Sequence, residues 1–182
     1  MSLIDDKNLN KLINEIEKLE RYADFVLIDT GAGISNNVLQ FLFASDDVIV
    51  MLTPEPTSLT DGYVLIKTLA LNSYKKPIKV VINMVENKSE GEKVFEKLNN
   101  VTKRFLQVNL EFLGYLNRSK EVSNAIKAQT PFIIDKPNST IAKKINIIAL
   151  NISNGESALM DNDDGFSKRI KKFLFGKGGR FV

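Results

Sequence analysis

The run Phe25-Val-Leu-Ile-Asp29-Thr30-Gly31-Ala32-Gly33 combines residue types that can do chemistry at a spacing that allows it. Four apolar residues predict a strand buried on both faces, and Asp29 stands at its carboxyl end. Ligands of open α/β sheets gather beyond that end of the strands. A carboxylate there can hold a magnesium ion, directly or through water. A glycine such as Gly31 lets a backbone amide approach a phosphate oxygen with no side chain in the way. The plainer alternative is an aspartate that caps the following turn or helix.

The remaining composition narrows the chemistry. The 182 residues contain no cysteine, histidine or tryptophan. Disulfides, thiol nucleophiles, His-based triads and most zinc sites are therefore excluded. What is left is carboxylates, hydroxyls, lysines, backbone amides or a hard cation. Asp-Thr-Gly-Ala also occurs in retroviral-type aspartic proteases, where two such loops share a proton between carboxylates. That class is all-β, and the helical stretches described next oppose it. A cysteine-free chain suits a reducing cytoplasm. No signal-peptide pattern opens it, and apolar runs such as Asp47–Thr53 are far shorter than the roughly 20 residues that span a bilayer.

The elements that must position Asp29 follow from periodicity. Leu9, Leu12, Ile13, Ile16 and Leu19 make a helical stripe over Asn8–Arg21. Continuous apolar runs predict buried strands at Phe25–Asp29, Val48–Leu52, Ile78–Met84 and Glu111–Leu116. Helical stretches lie between and after them, at Asn37–Phe43, Ser58–Asn72, Glu90–Val108, Lys120–Gln129 and Ser139–Leu150, with a break at Thr130-Pro131. Strands alternating with helices predict an α/β fold, a mostly parallel sheet with flanking helices. The expected organisation is a domain over residues 1–151, a flexible polar linker over 152–165 and a basic tail over 166–182.

The tail carries six cationic residues and no acid, so the overall charge of +3, less the tail's +6, leaves −3 for residues 1–165. A body of that sign predicts no specific nucleic-acid binding. Within the tail, Phe166, Ile170, Phe173 and Leu174 fall on one helical face, with Lys168, Arg169, Lys171 and Lys172 opposite. That pattern suits a helix lying on an anionic membrane surface. A solvated basic tail, or a helix packed on protein, is the alternative.

The Asp-Thr-Gly-Ala-Gly run resembles the second nucleotide motif of the MinD/ParA-type (deviant Walker A) ATPases, and most of all their flagellar-number regulators. Three further segments match in order: Thr53-Pro54-Glu55-Pro56 through Tyr63, Val80-Val-Ile-Asn83-Met-Val85, and Gly114-Tyr115-Leu116 followed by Gln129-Thr-Pro131. The resemblance covers about residues 8–150. It implies a P-loop NTPase (SIMIBI-like) fold, with ATP and magnesium as cofactors. Asp29 would position the magnesium and its waters, Gly31 would approach the γ-phosphate, and Asn83 would read the adenine edge with its donor and acceptor. Glu55 and Asp61 would hold the signature lysine in the nucleotide-free state; by themselves they are ordinary first-turn acids of a helix.

The family's phosphate loop, Lys-Gly-Gly-x-Gly-Lys-Thr, does not occur in these residues, and Gly176-Lys177-Gly178-Gly179 has neither its spacing nor a following helix. The expectation is an N-terminally truncated, C-terminal portion of such an ATPase, inactive alone. In the intact protein the resemblance implies an ATP-sandwich homodimer that is cytoplasmic and peripheral at the inner face of the membrane. It also implies control of flagellar number or placement, and a signal-recognition-type flagellar GTPase as partner. The alternative is a nucleotide-independent scaffold that binds membrane or protein.

Overall fold

The computed structural model describes residues 6–31, 33–154 and 165–175. The chain divides into two compact units. One comprises the residues up to Asp46 together with those from Leu159 onward, and the other runs from Asp47 to Ala158.

The second unit is built on a parallel three-stranded sheet in the order β1 (Val48–Leu52), β2 (Ile78–Val85), β3 (Glu111–Asn117). Parallel strands need crossovers, and α3 (Pro56–Leu71) and α4 (Lys88–Leu106) supply them. Helices α5 (Lys120–Ala128), α6 (Phe132–Asp135) and α7 (Thr140–Asn154) follow β3. Helices cover both faces of the sheet. Val81 and Leu113 pack with Ile141, Ile145 and Ile148 of α7, while Phe112, adjacent to Leu113, stacks on Phe95 of α4 with centroids 4.7 Å apart. Central strand β2 is accordingly apolar and buried along most of its length, as a two-sided core strand should be.

Two glycines set how closely the helices approach. A Cβ on Gly91 of α4 would stand 2.9 Å from Cβ of Tyr115, and one on Gly62 of α3 would stand 2.6 Å from a terminal methyl of Leu52. At the amino ends of the strands, buried Lys79 pairs with Asp47 at 2.7 Å. Such a charge is tolerated in the interior because it is paired.

The first unit contains α1 (Asp6–Glu20), α2 (Asn36–Ala44) and α8 (Phe166–Phe175). Ile16, Ala44, Phe166 and Ile170 form its core, with Phe41 packed against them. The expected strand at Phe25–Asp29 is not formed. These residues have no ladder partner, with Phe25 60% and Leu27 82% exposed. A strand exists only through its ladder, and the described residues of this unit supply helices and no neighbouring strand. The other three strands and the long helices fall within a few residues of expectation. The short α6 after Pro131 was not expected, and α7 continues to Asn154, so the polar stretch lies outside the described residues except for 152–154 and Gly165.

Candidate functional site

The carboxyl ends of β1, β2 and β3 share one cavity of about 300 Å³, lined by Thr53, Pro54, Glu55, Pro56, Met84, Glu86, Glu90 and Arg118. The lining residues lie at the strand ends, in the connections that leave them and in the first turns of the helices that follow, so the parallel topology itself converges them. The volume sits at the low end of small-molecule sites, roughly 300–1,000 Å³. Pro54, Pro56 and Met84 give it apolar walls, while three glutamates and Arg118 give it polar ones. Thr53 is held by its own amide, which donates to Ser58 Oγ at 3.0 Å. Its hydroxyl is buried and has no hydrogen-bond partner. An orphaned buried hydroxyl is costly.

Of the residues singled out in the sequence, Glu55 lies on this wall, at the N-cap of α3, and makes no side-chain cap bond. Asp61 lies further along α3 and is exposed. Asn83 is near the end of β2, next to Met84. Its Oδ1 accepts from the Met84 amide at 2.8 Å, and its Nδ2 reaches only the Met51 sulfur at 3.8 Å. That leaves its amide group a donor with a weak partner. Met84 adopts φ 58°, a left-handed conformation unusual for a side-chain-bearing residue.

In the first unit, Asp29 is exposed on the unpaired segment, and Gly31 has open space where a Cβ would be. Gly33 takes φ 111°, a turn conformation suited to glycine. Ser35 then caps α2 by accepting from the Val38 amide. Helix α8 places two residues of its apolar stripe inside protein: Phe166 is 9% and Ile170 1% exposed, and Phe166 stacks on Phe41. The Glu20 carboxylate accepts from the amide and hydroxyl of Ser167 at 3.1 and 2.6 Å, an acid at a helix amino terminus. Arg169 donates to the Ala44 carbonyl at 2.7 Å and pairs with Asp46 at 2.6 Å. Lys168 and Lys171 are exposed, and the side chains of Lys172, Phe173 and Leu174 lie outside those described.

No family model matches the chain. Curated relatives do. Antiactivator FleN of Pseudomonas aeruginosa is 33% identical over 76% of this chain and 49% of its own length. Flagellum site-determining protein YlxH of Helicobacter pylori is 30% identical over 90% of this chain and 60% of its own. Septum site-determining protein MinD of Bacillus subtilis is 24% identical over 88% and 60%. The chain belongs to the MinD/ParA-type family. It spans about half to six tenths of the length of these relatives. The α/β architecture with a parallel sheet agrees with that membership, and so does the kinship with a flagellum site-determining protein.

Nucleotide binding belongs to the intact proteins of this family, and the second unit has apolar groups that fit a base, two prolines and Met84, with Asn83 next to Met84 in sequence. Among the described residues no three carboxylates gather to hold a metal. The sequence contained no sign that Thr53 would be unsatisfied, or that Glu86, Glu90 and Arg118 would meet. Their only signal is their place just past the predicted strands. Among the described residues no helix is long and apolar enough to cross a membrane.

Proposed function

We propose that the chain is the base-binding and membrane-engaging portion of a MinD/ParA-type ATPase that governs flagellar number or placement. The cavity at the carboxyl edge of the sheet takes the adenine, with Asn83 reading its edge. Asp29 positions magnesium and Gly31 approaches the γ-phosphate. Glu55 and Asp61 receive the signature lysine when nucleotide is absent. ATP draws two copies into a homodimer, α8 then engages an anionic membrane surface, and hydrolysis reverses both; a flagellar GTPase of the signal-recognition type is the partner. Transfer chemistry of this kind rests on positioning and charge, which the residues named here supply only in part.

The single observation that supports the reading best is the convergence of the β1, β2 and β3 exits on that one cavity, with Pro54, Pro56 and Met84 as its apolar walls. The test is a titration of the chain with fluorescently labelled ATP and GTP. Saturable binding that prefers ATP, weakened about tenfold in Asn83→Ala, is the expected result, one hydrogen bond's contribution. No binding of either nucleotide would replace the reading with the nucleotide-independent scaffold.

The membrane step carries its own requirement, because Phe166 and Ile170 cannot face lipid while they fill the core of the first unit. Sedimentation with phosphatidylglycerol-rich vesicles should show salt-sensitive binding that disappears in the Phe173→Glu, Leu174→Glu double variant and strengthens in Glu20→Ala, which loosens the helix. Unchanged binding in the double variant would remove the tail from the proposal.

A further inference from the structure

Asn117 is the last residue of β3, and its carboxamide is engaged on both sides. Nδ2 donates to the Val85 carbonyl at 3.1 Å and to the Glu86 carbonyl at 2.9 Å. Oδ1 accepts from the Lys144 ammonium of α7. Lys144 is itself fixed, because its ammonium also sits 3.6 Å from the centroid of the Tyr115 ring. The Val85 carbonyl takes a further bond from the Arg118 amide at 3.1 Å. One side chain therefore ties the exit of β2 to the exit of β3, and a helix on the sheet's face backs it.

What it ties down is the polypeptide that walls the cavity. Met84, just before the tethered carbonyls, holds φ 58°. A strained backbone of this kind persists only where its surroundings over-determine it, and such positions cluster at ligand clamps. On the far side of the tether, the Glu86 amide donates to Glu90 at 2.7 Å, and Asn87 caps α4 through the Glu90 amide at 3.0 Å. Met84, Glu86, Glu90 and Arg118 all line the cavity, whereas Asn117 does not. Asn117 thus acts on the cavity through its neighbours. A carboxamide is the group that can do this, because it must donate twice to carbonyls and accept once from an ammonium.

We propose that Asn117, backed by Lys144, is a positioning residue that holds the β2–α4 connection in the shape that receives the nucleobase. The proposal rests on the adenine reading of the cavity given above.

The test compares the full chain with Asn117→Leu and Lys144→Met by amide hydrogen exchange without ligand, by labelled-ATP titration and by thermal melting. In Asn117→Leu the amides of residues 86–88 should exchange about tenfold faster while those of Val80–Ile82 do not change, and ATP affinity should fall about tenfold. Lys144→Met should move both in the same direction by a smaller factor, and it decides the question if Asn117→Leu does not fold. Unchanged exchange at residues 86–88 overturns the proposal. So does faster exchange with undiminished ATP affinity, since the tether would then be structural only. If the unaltered chain binds no adenine nucleotide, the adenine reading fails first and the positioning role falls with it, an outcome distinct from the other two.

Discussion

A buried hydroxyl with nothing to bond to lowers the stability of this protein. Thr53 Oγ1 is buried without a partner, so replacing it by the isosteric Val should remove a desolvation penalty. The expected outcome for Thr53→Val is an unfolding free energy raised by about 1 kcal/mol in urea titration. An unchanged or lowered unfolding free energy would show that the hydroxyl is satisfied in the folded chain. The sequence placed Thr53 beside Glu55 in the right connection. Its lack of a partner depends on which neighbours converge, and no spacing rule conveys that. The same holds for Asn117, which is an ordinary polar residue at a strand end until Val85, Glu86 and Lys144 are brought to it.

Helix–sheet contact is where local pattern was most informative. Continuous apolar runs located β1, β2 and β3, and 3.6-residue periodicity located the long helices, because those signals record burial that does occur. Phe25–Asp29 has the same kind of run and forms no strand, since an apolar segment states what it needs covered and not whether a partner is at hand. The two helix glycines give a test at this scale. Alanine favours a helix interior by roughly 1 kcal/mol over glycine. At Gly62 the new methyl meets the branched end of the Leu52 side chain, which can rotate aside where a Cβ cannot, so Gly62→Ala should be the milder of the two. At Gly91 it meets the base of the Tyr115 side chain, and overpacking of about 1–3 kcal/mol should win. Parallel denaturant titrations that ranked the two variants in the reverse order would refute this account of the α4 contact.

At the scale of the whole molecule, the division into a continuous and a discontinuous unit predicts unequal responses to shortening. The unit from Asp47 to Ala158 has its own sheet and core, whereas the other needs Phe166 and Ile170 to bury Ile16 and Ala44. A chain ended after residue 158 should therefore resist limited proteolysis across β1–α7 and be cut rapidly within residues 6–46. Equal resistance of both regions would show that α8 contributes little.

That discontinuity also has a timetable. During synthesis α1 and α2 leave the ribosome before the continuous unit, yet the helix that closes over Ile16 and Ala44 follows only after that entire unit has been made. At about 5–20 residues per second, the delay is on the order of ten seconds. Through that interval a nascent apolar surface waits without its cover, a window in which chaperones can hold it and in which the order of translation decides what folds.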